Sequence, residues 1–545
     1  FNLDGYMQFE DEIDSFPGIT SAAYFQNKLF YSDDKNYFYI KDEKTRKINS
    51  NHKGLITKIL PVGNFISTIS QDKTIKLWTI NGVELLTLIS RPDGEWAVIA
   101  TNGQFDKSPQ FNGMYWVKGQ EIIELDQFFD DFYTPGLLSQ VYQTGELDET
   151  RNLDDAIKQV IPTIEIIEPK KATTRGLQLA ADDSSGCKVV SSQTRGFKKK
   201  KKKKKTEEPG CAEDGTLRVV VKATDQGGGF QDIVLYHNGK RLESVEGDIK
   251  SGPVQKGKTQ LVTFRVPLAP GENYLRAEAK SLSRVRARPW QMVVDFEAPK
   301  PKGKPDLYLY VVGINKYSNP KFNLNYGRPD AEAVQKALGD NLKLGAFEKV
   351  HVSGIYDLEA TKENITAQFL KFAKQARPRD VFIFYYAGHG RTLKDENGNP
   401  MFYLVSSNVG ALDQDKTVKK GGISGLELIN YSKKIRAGKQ MFLFDACESG
   451  SVAKAFARIQ KDTGGHILYA AASNQLATEF DSLGHGIFTY TLLKTLEDNK
   501  KLNVSLLSGG MDFLLEELRP KFNLTDQTFG YYRTLEASNF AIKSM

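Results

Sequence analysis

The sequence predicts a multidomain chain that joins β domains to a C-terminal α/β domain, and three observations carry that prediction. Up to about residue 298 the apolar residues come in short alternating runs separated by turn residues, the pattern of antiparallel sheet. After Leu307 the rhythm becomes strand, helix, strand, which implies a mostly parallel sheet, here of six strands, covered on both faces. Two apolar runs of that second part, DVFIFYYAGHG (Asp380 to Gly390) and KQMFLFDACESG (Lys439 to Gly450), close on His389 and Cys447. Such runs read as strands buried on both faces, and open sheets place their chemistry just beyond the carboxyl ends of their strands.

Length and charge bound the reading. At 545 residues the chain has room for several domains with sizeable cores. The net charge of +7 comes from one tract, Lys198 to Lys205; without those eight lysines 66 basic residues face 67 acidic ones. A nucleic-acid footprint would be a basic face with interleaved aromatics, so no nucleic acid is expected as a partner. Three cysteines argue against a disulfide framework and fit a reducing, cytoplasmic location, with Cys187 and Cys211 flanking the lysine tract as a possible bridge or as two incidental thiols. No apolar stretch is long enough to span a bilayer, so no membrane association is expected. The chain opens on Phe1 and is expected to be a piece of something longer.

Residues 1–100 are expected to form antiparallel strands. The stretch NHKGLITKILPVGNFISTISQDKTIKLWTI has an early His52, Asp72 in a turn and Trp78 closing a strand, and resembles one WD-repeat blade. A closed propeller takes several blades, so further blades are expected upstream; the alternative is a small sheet that imitates the repeat. Residues 101–159 read as a connector with short helices over Gln120 to Tyr133 and Asp154 to Val160. Residues 160–298 hold six strand-like runs separated by turns such as Asn238-Gly239 and Pro270-Gly271, suggesting an immunoglobulin-like sandwich. Its insertion 181–215 carries the lysine tract and is too poor in apolar residues to order itself. Residues 299–305 (KPKGKP within them) form a semi-stiff linker.

In residues 306–545 the predicted order is a strand at Leu307 to Ile314, a helix at Ala331 to Leu338, a strand at Lys349 to Tyr356 and a helix at Thr361 to Ala376. The His389 strand, a polar excursion, a helix over Leu426 to Arg436 and the Cys447 strand follow. His466 to Ala472 is a fifth strand, then helices near Phe488 to Glu497 and Ser505 to Leu518, with Phe540 to Ile542 as the sixth strand.

A strand ending in His-Gly and a later strand ending in Ala-Cys before Gly, in that order, resemble the caspase and metacaspase superfamily of cysteine peptidases over roughly Leu307 to Ile542, and the whole arrangement looks like bacterial caspase homologues. A free thiol is mostly protonated at neutrality, so acyl transfer needs a base to raise its thiolate fraction. The resemblance implies Cys447 as nucleophile, His389 as general base and acid, and the backbone N–H groups of Gly390 and Cys447 as the oxyanion hole. It places Asp445, two residues before the nucleophile, in the pocket for the residue preceding the scissile bond, with Asp330 of NYGRPDA as a second acid and Ser473 as a further pocket residue; such a pocket would favour Arg or Lys. Asp445 as a cap on backbone donors is the bland alternative. Arg328, close to Asp330, is a cation able to neutralise it or to receive an acidic substrate, and Glu448 would oppose a thiolate.

Lys454, Arg458 and Lys461 lie in the segment where family members are often cut and are candidate self-processing sites; an ordinary helix with solvated charges reads equally well. Gly227-Gly228-Gly229 lacks the strand-to-helix context of a phosphate loop, Asp395 to Asn399 reads as a hairpin turn, and the remaining histidines lack zinc-ligand spacing. No metal and no cofactor are expected; some metacaspases need calcium, but no such site can be placed. The expected function is a regulated signalling or defence peptidase activated by cleavage or by a partner at the N-terminal domains, acting on protein or peptide substrates after Arg or Lys. The alternatives are an interaction scaffold with an inactive or only self-processing domain, and a peptidase of acidic specificity.

Overall fold

A computed structural model of the protein describes residues 18–108, 111, 114–118, 121–149, 153–169, 187–192, 215–246, 256–297, 303–395, 400–446, 452–472, 479–480, 483–522, 524, 527–532 and 539–544. Cys447, Ser473, Glu448, Cys211 and the lysine tract lie outside the described residues. The chain divides into two compact units, Phe1–Gln159 and Val160–Met545.

The first unit holds a four-stranded antiparallel meander from Ile19–Phe25 to Thr45–Ile48 and a six-stranded one from Ile56–Val62 to Phe105–Lys107. The second meander thus runs past the boundary expected at residue 100. Phe30, Phe38 and Ile40 of one sheet share a core with Ile56, Ile66 and Trp78 of the other. The three residues singled out in the blade-like stretch meet: His52 Nδ1 lies 3.2 Å from Asp72 Oδ2, His52 Nε2 2.9 Å from Thr68 Oγ1, and the Trp78 indole N–H donates to that same Thr68 hydroxyl at 2.9 Å. Buried polar groups are thereby paired, which a buried imidazole and indole require. The helix expected over Gln120 to Tyr133 is corrected: Glu121–Glu124 pairs with Tyr115–Lys118, and helical turns begin only at Leu125, where Glu124 and Gln127 close a capping box.

In the second unit all six runs expected between residues 160 and 298 are strands, and with Cys187–Ser192, Lys240–Arg241 and Ser244–Glu246 they make a four-stranded and a five-stranded antiparallel sheet over one core that includes Val219, Val221, Phe264, Leu235, Leu275 and Val294. The expectation that 181–215 is unordered throughout is corrected: Cys187–Ser192 pairs antiparallel with Trp290–Phe296. Gly227 and Gly229 donate their backbone N–H groups to Asp225 Oδ1, as a turn between strands.

The remaining residues form an α/β domain. Its elements are β1 (Leu307–Gly313), α1 (Gly327–Gly339), β2 (Val350–Tyr356), α2 (Lys362–Gln375), β3 (Val381–Ala387), α3 (Gly425–Lys434), β4 (Lys439–Asp445), α4 (Val452–Thr463), β5 (His466–Ala472), α5 (Ile487–Asp498), α6 (Val504–Phe522) and β6 (Gln527–Tyr532). The sheet order is β2-β1-β3-β4-β5-β6, parallel except for β6. Alternation of side chains sorts the apolar strands onto two faces. Tyr308, Tyr310, Phe382, Phe384, Phe442 and Phe444 pack against α2, α3 and α4, whereas Leu309, Val311, Ile383, Tyr385, Met441 and Leu443 pack against α1, α5 and α6. The sixth strand is therefore Gln527–Tyr532; the expected one, Phe540 to Ile542, belongs to a short ribbon in which Ala541–Ser544 pairs with Lys501–Asn503. The polar excursion after His389 contains a three-stranded sheet of Gly390–Lys394, Pro400–Leu404 and Ile423–Ser424.

Candidate active site

From β1 the chain moves to β2 on one side and to β3 and β4 on the other, so the crevice at the carboxyl ends of β1 and β3 is the switch point of the sheet. Register aligns that rim: Gly313 pairs with Ala387, and Ala387 with Asp445. His389 follows Ala387 by two residues, and Gly388 N–H reaches the Asp445 carbonyl at 3.3 Å.

The backbone around His389 is fixed by three neighbours. Its N–H donates to the Tyr317 hydroxyl at 2.8 Å, and its carbonyl accepts from the Tyr386 hydroxyl at 2.6 Å and from Val405 N–H at 3.0 Å. Gly388 permits that approach: a Cβ there would stand 2.8 Å from the Tyr386 hydroxyl and 2.9 Å from that of Tyr317. The imidazole packs on Tyr317, and its Nε2 lies 2.9 Å from the Phe322 carbonyl. A carbonyl only accepts, so in the neutral ring Nε2 carries the hydrogen and Nδ1 is the basic nitrogen. Gly390 is buried against Phe402.

Asp445 ends β4 with the parity of Leu443 and Met441, which turns it toward the face covered by α1 and α5. Asp330 stands in the first turn of α1. The two carboxylates converge on Gly486, the residue that caps α5: a Cβ on Gly486 would stand 3.1 Å from Asp445 Oδ2 and 3.2 Å from Asp330 Oδ2. Both acids are nearly inaccessible, at 6% and 2% exposure. Thr489, in the first turn of α5, donates its hydroxyl to Asp445 Oδ2 at 2.6 Å, and the Tyr385 hydroxyl stands 2.5 Å from that of Thr489. Burial, and then the charge of Asp330, push the Asp445 carboxyl up to about 7. Asp330 meets His485 Nδ1 at 2.6 Å through one oxygen and Gly486 N–H at 3.1 Å through the other.

Arg328 is not the partner of Asp330 that its position in sequence suggested. Its guanidinium lies 2.8 Å from Glu332 and 3.0 Å from Asp357. Lys454, Arg458 and Lys461 all lie on α4, whose Ala455, Phe456 and Ile459 are buried in the core, and Arg458 pairs with Asp395 at 3.2 Å. Among the described residues no group of three or more His, Cys, Asp or Glu side chains is placed to hold a metal ion, and no helix is long and apolar enough to cross a membrane.

The structure brings His389, Gly390, Asp445 and Asp330 to one rim. Residues 308–526 match the family model of the caspase domain. That match supports a cysteine peptidase in general, acting on protein substrates. No curated protein matches the chain. Among solved structures, a protein from Geobacter sulfurreducens is similar at 18% identity and a TM-score of 0.32, over 42% of this chain and 94% of its own. The computationally designed Ika4 protein is similar at 18% identity and a TM-score of 0.15, over 22% of this chain and 92% of its own. The extracellular domain of a one-component system from B. thetaiotaomicron is similar at 10% identity and a TM-score of 0.13, over 52% of this chain and 45% of its own.

Sequence reasoning missed His485, Gly486 and Thr489. They stand about 155 residues beyond Asp330, in a segment whose only local signal is a Gly-His-Gly before an apolar helix.

Proposed function

We propose that the caspase-like domain is a cysteine endopeptidase that cuts after Arg or Lys, with Cys447 as nucleophile and His389 as its base. In that reaction His389 Nδ1 takes the thiol proton and the thiolate attacks the scissile carbonyl. The C–N bond then breaks, the imidazolium gives its proton to the leaving amine, and a thioester remains. Water, deprotonated by the same imidazole, then hydrolyses the thioester and restores the thiol. The backbone N–H groups of Gly390 and Cys447 are proposed to hold the oxyanion, an arrangement in which each donor is worth about 3 to 4 kcal/mol. No metal or organic cofactor is needed for these proton transfers. The resting preference for a reducing compartment follows from the thiol.

The observation that carries the specificity is the convergence of Asp445 and Asp330 on the Cβ-less position of Gly486, two buried carboxylates at the rim next to the strand of His389. The Coulomb attraction of a carboxylate for a cation is larger in a low-dielectric site than in water, and a buried carboxylate left without a partner is costly. The engagement of Arg328 by Glu332 and Asp357 favours this reading over acidic specificity, because it leaves the pocket acidic. Self-processing at Lys454, Arg458 or Lys461 would first require α4 to unwind, since a peptidase takes its substrate extended; it is therefore proposed only as a step coupled to loosening of that helix.

Hydrolysis of reporter peptides ending in Arg, Lys or Asp, by wild type, Cys447→Ala and Asp445→Ala, tests the proposal. Arg and Lys peptides should be cut, Cys447→Ala should abolish turnover, and Asp445→Ala should lower kcat/KM for Arg by about thirty-fold to several thousand-fold, from roughly 2 to 5 kcal/mol for a lost buried charge partner. Unchanged Arg hydrolysis by Asp445→Ala removes the pocket assignment.

A further inference from the structure

We infer that His485 is a specificity-determining residue of the Asp330 and Asp445 pocket: it occupies the place of the substrate's basic side chain and is displaced when that side chain enters. The inference rests on the basic-pocket reading above and adds the residue against which every cationic substrate must compete.

Three observations carry it. His485 Nδ1 lies 2.6 Å from Asp330 Oδ1, while the other oxygen of Asp330 accepts the backbone N–H of Gly486 at 3.1 Å, so the imidazole sits directly on that carboxylate. The Asp330 side chain is 3% exposed and that of His485 is 27% exposed, so the imidazole stands between the acid and solvent, where an entering side chain would arrive. His485 is not fixed in the main sheet. With Gly486 it forms a two-residue ribbon strand opposite Glu479–Phe480, and it is flanked by Gly484, at φ +66° with nothing near its Cβ position, and by Gly486. Glycine on both sides lets the backbone turn the ring away without breaking a core strand.

Among the described residues, the charged and titratable groups facing the imidazole are Asp330 from α1 and Asp445 from β4; α5 contributes Thr489, whose hydroxyl donates to Asp445. An imidazole offers one nitrogen to one carboxylate. A guanidinium offers a fork of donors able to serve Asp330 and Asp445 together, and an ammonium three rotatable donors. A substrate cation can thus replace His485 with a net gain of hydrogen bonds, whereas a neutral side chain cannot.

Peptide hydrolysis by the full chain tests this with His485→Ala and His485→Arg, alongside binding of benzamidine, an aryl amidine, to the Cys447→Ala background by calorimetry. Loss of a partly exposed contact on a carboxylate predicts about a two- to fivefold fall in KM for Arg and Lys peptides in His485→Ala, by the same factor for both, and an equal tightening of benzamidine. A peptide with Gln before the scissile bond should change less than twofold. His485→Arg, a stronger occupant, should raise KM for Arg peptides at least about tenfold. If KM and benzamidine affinity are unchanged or worsen in His485→Ala at an unaltered melting temperature, the imidazole supports Asp330 instead of occupying its site, and the inference falls while the basic pocket stands. If wild type cuts other peptides but neither Arg nor Lys peptides, the basic pocket falls and His485 with it. Should His485→Ala fail to fold, the direction of the His485→Arg change decides.

Discussion

Placing a methyl group on Gly486 is the sharpest single perturbation of the acidic pocket. The backbone there has φ −60° and ψ 149°, an extended conformation open to any residue, so Gly486→Ala should not strain the chain itself. The new Cβ would stand 3.1 Å from Asp445 Oδ2 and 3.2 Å from Asp330 Oδ2, a few tenths of an ångström closer than comfortable carbon-to-oxygen contact. Relief of that crowding costs about 1 to 3 kcal/mol, the usual range for overpacking. The functional cost is larger, because the methyl fills the point on which both carboxylates converge and holds a substrate cation away from them. Losing a buried charge partner costs roughly 2 to 5 kcal/mol, which converts to about thirty-fold to several thousand-fold in kcat/KM for an Arg peptide. The assay is hydrolysis of Arg and Gln reporter peptides by wild type and Gly486→Ala, with thermal melting as the control for folding. The expected result is a selective loss on Arg with a melting temperature lower by only a few degrees. Equal kcat/KM for Arg in the two proteins would refute the reasoning, since no cation could then be bound between the carboxylates without meeting the methyl.

Two further outcomes follow from buried titratable groups. Burial and Asp330 raise the Asp445 carboxyl from 3.8 to about 7, so the folded state holds a proton that the unfolded state releases; this contribution is complete below about pH 4 and is lost as pH rises to about 7. Asp445→Asn should remove a fall of up to about 1.4 kcal/mol per pH unit over that window, measured as urea midpoints from pH 4 to 8, and parallel pH profiles for the two proteins would contradict the shared burial of the acids. Lys240, at 7% exposure, donates to the carbonyls of Ile435 and, at 3.1 Å, of Ala437; burial, and then Arg436, lower its amine from 10.5 to about 7. Here the unfolded state holds the extra proton, so stability rises with pH between about 7 and 10, and Lys240→Met should flatten that rise in the same urea measurement.

The buried strands were legible because a residue pattern apolar on both faces has few other uses. Leu307–Gly313, Val381–Ala387 and Lys439–Asp445 lie where the apolar runs placed them, with polar or glycine residues at their ends. The sixth strand was not legible, and two residues explain why. Phe540 and Ile542 are buried against the α1, α5 and α6 face, so they look like strand core, although the ribbon Ala541–Ser544 pairs with Lys501–Asn503 and the Phe540 carbonyl accepts from Val504 N–H. In the true edge strand, Gly530 reads as a turn, yet it is where the Tyr469 ring crosses: a Cβ would stand 2.0 Å from that ring. Of the candidate site, His389, Gly390, Asp445 and Asp330 could be named from the sequence because they lie near the end of a strand or the start of a helix, positions that sequence marks. His485 could not, since its pairing with Asp330 depends on how a two-residue ribbon is docked, and no periodicity encodes that.

The sandwich of residues 160–298 is tied to the α/β domain through the helix that follows the Cys447 segment. Asp462, in the last turn of α4, is 6% exposed and stands 3.8 Å from both Arg241 and Arg286 of the sandwich. Arg241 in turn holds Asp232 at 2.5 Å, and Arg286 holds Glu278 at 3.1 Å. Charges buried in such a network are costly to expose singly, at about 3 to 5 kcal/mol for a broken buried pair, so the two layers resist separation. The Lys240 amine closes the same junction on the carbonyls after α3. The linker at 299–305 therefore does not divide two independent bodies: residues 160–545 are one compact unit, in which the sandwich holds the last turn of α4 through Asp462.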